Sequence, residues 1–136
     1  MKVLALALAL GLVASGTAWA AGDTAAGADT ARVCRACHNW GPGATNKIGP
    51  VLNGVVGRQP GTYPGFSYSN AMVDFGKQNP AWTPELLAKY LHSPRTVVPG
   101  TKMTFAGFPD QTDADDVVAF LQTLKADGST GAPTSQ

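Results

Sequence analysis

The sequence predicts an all-α fold of about four short helices joined by long loops. Helix start signals occur near 22–33, 69–75, 83–93 and 113–126, and the last two of these segments also carry apolar residues at three- and four-residue spacing. The segment 39–67 holds eleven glycines and prolines, a density that favours loop over helix. No run of alternating or β-branched residues is long enough to form a sheet. A loop of this length is unusual in a small domain unless it has a function.

The N-terminus has the three parts of a secretory signal peptide. Lys2 supplies the positive start, Val3 to Val13 is an unbroken apolar stretch, and Ala18-Trp19-Ala20 is an A-x-A cleavage site. The apolar stretch is shorter than the roughly 20 residues that span a bilayer, although an uncleaved anchor remains the alternative. We therefore expect a periplasmic protein with a signal peptide over 1–20 that is cleaved after Ala20, a single domain over 21–127, and a flexible polar tail over 128–136.

The first predicted helix begins at the N-cap Asp23 and leads into the pentapeptide Cys34-Arg35-Ala36-Cys37-His38. The spacing Cys-x-x-Cys-His attaches a c-type haem through two thioether bonds, and its histidine can bind the iron. A zinc site needs four ligands, and the only histidine outside this motif is His92. A thioredoxin-like pair would lie near a βαβ pattern, which is missing here, and a plain disulfide is the remaining alternative. We expect one covalently attached haem c.

Three later helices have recognisable ends. Ser69 is expected to cap a short helix that stops at Gly76. Thr83-Pro84-Glu85 combines a cap, a proline at the first helical position and an acid in the first turn, and Pro94 ends that helix. Thr112 is expected to cap the last helix. The apolar stripes of the last two helices are Leu86, Leu87, Tyr90 and Leu91, and Val117, Phe120, Leu121 and Leu124.

Three residues are candidates for the second axial ligand of the iron. His92 is expected on the polar side of its helix, and Met72, between Ala71 and Val73, is explained by core packing. Met103 lies in a loop that has no helical stripe to pack into. Thioether sulfur is a soft ligand, and His/Met ligation raises the reduction potential. We therefore predict His38 and Met103 as the iron ligands.

With these motifs in order, the sequence resembles the class I cytochromes c, near mitochondrial cytochrome c and its small bacterial relatives. The similarity extends from Gly22 to Leu124, and Pro99-Gly100-Thr101-Lys102-Met103 is nearly the ligand loop of that family. The resemblance implies a class I cytochrome c fold wrapped around one covalent haem. The haem-site residues that it implies besides Cys34 and Cys37 are Pro50, whose carbonyl accepts a hydrogen bond from His38, Arg58, Tyr68 and Trp82 around the haem propionates, Tyr90 beside Met103, and Phe105 over the exposed haem edge.

The charges show no global field that would favour nucleic acid, because nine basic and nine acidic residues remain without Lys2. The segment 32–102 carries eight basic and two acidic residues, and 110–127 carries five acids and one lysine. One face is basic in one interpretation, and these are ordinary solvated charges in the other. The resemblance implies that Lys47, Arg95 and Lys102 lie around the haem edge and steer an acidic redox partner.

An iron with both axial positions filled has no site for a substrate, which favours electron transfer over catalysis. We therefore expect a soluble, monomeric one-electron carrier, not an enzyme, that shuttles electrons between membrane or periplasmic redox proteins. One alternative is an enzyme or gas-binding haem protein in which a small molecule displaces Met103. Another is a haem module that forms a fixed subunit of a larger dehydrogenase.

Overall fold

The computed structural model describes residues 21–132, so the predicted signal peptide over 1–20 and the last four residues lie outside the described residues. Within 21–132 the chain forms no strand, and its one β-bridge joins Leu124 to Thr130. No helix in this range is long and apolar enough to cross a membrane. The all-α prediction is confirmed. The helices are α1 (Thr24–Thr30), a 3₁₀ helix (Ala31–Ala36), α2 (Asn70–Gln78), α3 (Pro84–His92), α4 (Pro94–Val97) and α5 (Gln111–Leu121).

Helix α1 crosses α5 at close range. The Asp23 carboxylate caps α1 by accepting the N–H groups of Ala25 and Ala26 at 2.8 and 2.9 Å. The N–H of Asp23 also donates to the Asp116 carboxylate of α5 at 2.6 Å. Gly27 is buried in the crossing, where any Cβ would overlap the backbone oxygen of Asp116. The absence of a side chain at Gly27 therefore sets the distance between the two helices.

The predicted first helix changes type before it reaches the cysteines. The α-helical turns end at Thr30, and residues 31–36 form a 3₁₀ helix. The Cys34 carbonyl accepts the N–H of Cys37 at 3.1 Å and that of His38 at 2.8 Å. In a 3₁₀ turn, residues three apart eclipse each other. The tighter turn therefore brings the two cysteines onto one side of the chain.

The long loop after the haem-attachment motif is fixed by specific hydrogen bonds. The Gly49 N–H donates to the Cys37 carbonyl at 2.7 Å. The Asn53 side chain exchanges two hydrogen bonds, at 2.9 and 3.0 Å, with the backbone of Gly41. The Trp82 N–H also donates to the Arg58 carbonyl at 2.8 Å. These hydrogen bonds therefore define the path of the loop, although residues 38–68 contain no helix or strand.

Helix α2 does not stop where the sequence predicts. It begins after the cap Ser69, as expected, but continues through Gly76 to Gln78. Gly76 is buried, and a Cβ there would overlap the carbonyl oxygen of Pro60. The glycine permits this close contact between helix and loop, so the predicted stop at Gly76 is wrong.

Helices α3 and α5 pack against each other and carry half of the buried core residues. Helix α3 begins as predicted, with the Thr83 hydroxyl accepting the N–H of Leu86 at 3.2 Å, and α4 follows from Pro94. The predicted cap of α5 is wrong, because the Asp110 carboxylate accepts the N–H of Thr112 at 2.9 Å. Thr112 lies inside the helix, since two good cap residues are close together in the sequence and the chain uses the earlier one. The buried apolar residues of this pair include Leu87, Leu91, Val117, Val118 and Leu121.

The last described residues turn back along the chain. Helix α5 ends at Leu121, earlier than the predicted 126. The N–H of Lys125 donates to the Ser129 carbonyl at 2.9 Å, and the N–H of Gly131 donates to Thr123 at 3.0 Å. Gly128 is buried in this turn. The first residues of the predicted tail are therefore hydrogen-bonded to the domain.

Candidate haem-binding site

One large cavity, of about 730 Å³, lies between the long loop, the segment 98–109 and the helices. Its volume is within the usual range for cofactor pockets, roughly 300 to 1,000 Å³. Most of its wall is apolar, with side chains such as Leu52, Val55 and Leu91. The fold brings together here all of the site residues proposed from the sequence. They are Cys34, Cys37, His38, Pro50, Arg58, Tyr68, Trp82, Tyr90, Met103 and Phe105.

The two cysteines lie in the cavity wall. Both are half-buried and neither forms a disulfide. Burial is the largest influence on Cys34 and raises the pKa of its thiol above the usual value. A redox-active or nucleophilic cysteine needs a lowered pKa. Cys34 therefore lacks the electrostatic setting of a thioredoxin-type active site.

The His38 imidazole is oriented by the loop that follows it. Its Nδ1 lies 2.7 Å from the Pro50 carbonyl oxygen and donates its proton to it. This bond leaves the lone pair of Nε2 as the acceptor of the ring. A Cβ at Gly49 would overlap the ring, so the loop packs this closely only because residue 49 is glycine.

Burial also favours the neutral form of His38. Desolvation is the main cause that lowers its pKa, and the charges of Arg58 and Lys47 lower the pKa further, whereas the bond to Pro50 opposes them. A histidine binds a metal through its neutral imidazole. The site therefore holds His38 in the protonation state that iron ligation requires.

Met103 lies at the cavity, within a small hydrogen-bonded group. Its N–H donates to the Thr101 hydroxyl oxygen at 3.3 Å, and that oxygen lies 3.0 Å from the Tyr90 hydroxyl. The Tyr90 hydroxyl also lies 3.8 Å from the Met103 sulfur. Burial raises the pKa of Tyr90, so it stays protonated and can donate. The backbone and the side chain of Met103 are thus both held.

Arg58 is a half-buried cation at the cavity. Its guanidinium donates to the carbonyls of Asn53 and Val51 at 3.0 and 3.1 Å and lies 4.7 Å from the centre of the Tyr63 ring. Among residues 21–132, no carboxylate forms a salt bridge with it. Buried charges are normally paired. A cofactor that carries carboxylates could therefore form ion pairs with Arg58 in the cavity.

Tyr68 and Trp82 line the same cavity as Arg58. The Tyr68 oxygen accepts the Tyr63 N–H at 3.2 Å, which leaves its own proton free to donate. Burial raises the pKa of Tyr68. The Trp82 ring is buried and lies 5.0 Å from that of Tyr90. Phe105 stacks edge-on with Phe108 at 4.9 Å.

The structure adds residues that sequence reasoning did not place at the site. Asn46 joins two parts of the loop, because its amide donates to the Pro64 carbonyl at 3.1 Å and its oxygen accepts the Val51 N–H at 3.0 Å. Met72, interpreted as core filling, is buried and also lines the cavity. A single polar residue in a loop gives no sequence pattern that would predict such a bridging role. Only the pairing of distant segments reveals it.

The charged residues proposed for the haem edge are not all at the cavity. Lys47 and Lys102 line it, whereas Arg95 lies on α4 and does not. His92 also lies outside the cavity, as expected for a histidine that is not a ligand. Its Nδ1 is 2.8 Å from the Phe108 carbonyl, a contact the sequence did not indicate.

Comparison with known proteins identifies the family. The chain matches no protein-family model. It is 46% identical over 105 residues to cytochrome c-550 of Ancylobacter novellus, covering 77% of this chain and 98% of that protein. It is 45% identical over 118 residues to cytochrome c2 of Blastochloris viridis, covering 87% of this chain and 91% of that protein. The chain belongs to the class I cytochromes c.

Solved structures of class I cytochromes c agree. Cytochrome c2 from Rhodospirillum centenum superposes with a TM-score of 0.72 at 38% identity, over 76% of this chain and 99% of that one. Cytochrome cH from Methylobacterium extorquens gives a TM-score of 0.67 at 40% identity, over 75% of this chain and 99% of that one. The predicted class I cytochrome c fold and the covalently attached haem c are thereby confirmed.

The residues of the cavity fit a haem c. Two cysteines that form no disulfide lie one turn apart, beside an imidazole whose Nδ1 is already hydrogen-bonded. The apolar wall suits a porphyrin, and the Arg58 guanidinium, which forms no salt bridge within residues 21–132, suits its propionates. Like its family, this cytochrome is a one-electron carrier.

Proposed function

We propose that this electron carrier attaches its haem c through Cys34 and Cys37 and binds the iron with His38 and Met103. One observation carries the proposal. His38 and Met103 line the same cavity, and other hydrogen bonds fix the parts of each residue that would not bind iron. A preorganised ligand pair costs little rearrangement when it binds. Ligands held in the same way in both oxidation states suit rapid one-electron exchange.

The haem iron, cycling between ferric and ferrous, supplies the redox chemistry. The protein contributes orientation and electrostatics. The Pro50 carbonyl accepts a hydrogen bond from the Nδ1–H of His38, which strengthens electron donation from the ring. The Tyr90 hydroxyl donates a hydrogen bond to the Met103 sulfur. This bond would reduce the electron density that the sulfur gives to the iron. The apolar wall disfavours added positive charge, so it favours the reduced state.

Arg58, Tyr68 and Trp82 are proposed to contact the haem propionates. Arg58 and Tyr68 each have donor protons available beyond the contacts described above. A guanidinium is an effective partner for carboxylates because its bonds to them are charge-assisted. Pairing would offset the desolvation of both the propionates and Arg58. Phe105 is proposed to shield the edge of the ring from water.

The segment around Met103 supports a carrier over an enzyme. Besides the contacts to Thr101 and Tyr90, the Lys102 ammonium donates to the carbonyls of Ser67 and Tyr68 at 3.2 and 3.4 Å. Displacement of Met103 by a small molecule would strain these contacts. We therefore propose that the iron stays six-coordinate and that the protein has no catalytic activity of its own.

The protein is proposed to work in the periplasm as a monomer, after cleavage of the signal peptide 1–20. The domain would then span 21–127, with the tail at 128–136. Its donor and acceptor are proposed to be membrane or periplasmic redox proteins. Lys47, Arg95 and Lys102 are proposed to steer acidic surfaces of these partners toward the haem edge. The cations of 32–102 and the acids of 110–127 support such an uneven field.

The optical spectrum of the ferric protein tests the ligand pair. Wild type should show the far-red sulfur-to-iron charge-transfer band, and Met103→Ala should lose it while the thioether-bound haem remains. Met72→Leu is the matched control, because Met72 lines the same cavity and should leave the band intact. A band that survives Met103→Ala, or wild type that binds added cyanide readily, would overturn the proposal.

A further inference from the structure

The residues that follow α5 form a closed turn, which we call the C-terminal clamp and define as residues 124–131. The N–H of Lys125 donates to the Ser129 carbonyl, and the N–H of Gly128 donates to the Lys125 carbonyl, both at 2.9 Å. The β-bridge described above joins the two ends of this segment. The clamp is therefore held together by its own hydrogen bonds and has a defined shape.

The Asp127 carboxylate fixes the tip of the C-terminal clamp. One of its oxygens accepts both the backbone N–H and the hydroxyl of Ser129, at 2.9 and 2.7 Å. These bonds from the Ser129 hydroxyl and N–H lower the pKa of Asp127, so the carboxylate is ionised at neutral pH. Asp127 is exposed, so it can be replaced without a change to the apolar core.

The C-terminal clamp contacts the long loop at two separate points. At the first point, the Leu124 carbonyl accepts the N–H of Gly54 at 3.0 Å. At the second, Gly128 is buried against the peptide bond between Gly41 and Pro42, where any Cβ at residue 128 would overlap the backbone. One short segment therefore holds two distant parts of the loop.

The two contact points lie on either side of a cross-link that closes the base of the loop. The Asn53 side chain is buried and exchanges its two hydrogen bonds with the backbone of Gly41. Next to it, the N–H of Leu52 donates to the Asn39 carbonyl at 3.0 Å. Gly41 is itself one of the contact points, and Gly54, the other, follows Asn53 directly. The clamp therefore joins both sides of the loop base.

The part of the loop that this base closes carries the group that orients His38. Gly49 donates its N–H to the Cys37 carbonyl, and the next residue, Pro50, accepts the Nδ1–H of His38 at 2.7 Å. The length and direction of the second bond depend on where the loop places the Pro50 carbonyl. A displacement of the loop base would therefore change the hydrogen bond to His38.

We propose that the C-terminal clamp positions His38 by fixing the base of the loop and, through it, the hydrogen bond from Nδ1 to the Pro50 carbonyl. The inference rests on the proposed ligation of iron by His38 and extends the control of that ligand to a segment outside the cavity, since none of residues 124–131 lines it. The bond to Pro50 strengthens electron donation from the imidazole, which stabilises the ferric state. Loosening the clamp should therefore raise the reduction potential.

Hydrogen exchange and redox titration of the haem-loaded protein test this proposal. Asp127→Ala removes the acceptor that holds Ser129, and NMR of the ferrous protein follows the Nδ1–H of His38 and the N–H of Gly49. Both protons should exchange about two- to tenfold faster, the ratio that corresponds to one net hydrogen bond, and the potential should rise. Asp127→Asn removes the charge but keeps an acceptor oxygen, so it should restore the wild-type exchange rates and potential.

Matched variants separate positioning of His38 from a general loss of stability. Asp110→Ala removes an exposed carboxylate that caps the other end of α5, and it should leave both protons and the potential unchanged. Gly128→Ala and Gly43→Ala both place alanine at a positive φ, of 85° and 72°, but only the Cβ at residue 128 would overlap other atoms. Only Gly128→Ala should therefore reproduce the effect of Asp127→Ala.

The two measurements distinguish failure of this inference from failure of the proposed ligand pair. Unaltered exchange in Asp127→Ala, or equal changes in Gly128→Ala and Gly43→Ala, would overturn the role of the clamp and leave the ligand pair standing. Faster exchange in Asp127→Ala with an unchanged potential would mean that the clamp orients His38 but that His38 does not bind the iron. That result would reject the proposed ligand pair.

Discussion

The hydroxyl oxygen of Tyr90 lies 3.8 Å from the sulfur of Met103. The same hydroxyl is 3.0 Å from that of Thr101, which accepts the backbone N–H of Met103. Each hydroxyl has a single proton, so Tyr90 can donate to the sulfur when the Thr101 hydroxyl donates to the Tyr90 oxygen. The Tyr90 proton is then directed to the sulfur. The three residues form a chain that ends on the proposed iron ligand.

Tyr90→Phe should therefore lower the reduction potential. Without the donor, the sulfur gives more electron density to the iron, which stabilises the ferric state. A net hydrogen bond of about 0.5 to 1.5 kcal/mol corresponds to a drop of about 20 to 60 mV for one electron. Redox titration measures the change, with Tyr63→Phe as the control. An unchanged or raised potential would contradict this role of the hydroxyl.

Ionisation of the Tyr68 hydroxyl should lower the free energy of unfolding at high pH. Burial raises its pKa in the folded state above the unfolded value of about 10. Its contribution to the free energy of unfolding is complete below pH 10 and is lost as the pH rises through the folded pKa. Denaturant unfolding from pH 8 upward should show this loss in wild type, with a smaller loss in Tyr68→Phe. Equal slopes in the two proteins would argue against it.

Gly27→Ala should destabilise the protein, although alanine is the better helix former by about 1 kcal/mol. A Cβ at this position overlaps the backbone oxygen of Asp116, and overpacking typically costs about 1 to 3 kcal/mol. The denaturant midpoint should therefore fall. Ala25→Gly, at an exposed position of the same helix, reports the propensity term alone. A higher midpoint for Gly27→Ala would show that α1 and α5 separate easily.

His92 should anchor the segment that follows Met103. Its Nδ1–H donates to the Phe108 carbonyl, and the Phe108 N–H donates to the Leu91 carbonyl at 2.9 Å. His92→Ala should speed hydrogen exchange over 103–109 and cost about 0.5 to 1.5 kcal/mol. His92→Asn, whose amide can replace the Nδ1 donor, should restore most of the protection. Equal exchange in the alanine and asparagine variants would mean that the hydrogen bond has no such role.

The haem-attachment motif and the start of α3 were predictable because both depend on neighbouring residues. Cysteines three apart followed by histidine define one chemistry at any position in a fold. The cap Thr83 and the proline after it likewise specify a helix start locally. Where two local signals compete, the sequence does not rank them. Asp110 and Thr112 are both good caps, and the chain uses Asp110.

Gly76 shows why other predictions failed. A glycine near the end of an apolar helix is typical of a stop, but here it lies within α2 against the Pro60 carbonyl. The contact joins residues sixteen positions apart, and helix periodicity carries no information about it. Gly49 and Gly27 serve the same purpose, against His38 and Asp116. Close backbone approach is a property of the assembled fold.

The sequence and its family resemblance were enough to predict the covalent cofactor, the helical class and many of the residues that meet at the cavity. The partners of the side chains around the cavity became evident only in the folded chain. Lys47 reads as a free surface cation, yet its ammonium is bound to the Arg35 carbonyl and Ile48 is exposed in its place. Local propensity restricts backbone angles, whereas a long side chain takes its direction from partners that only folding brings within reach.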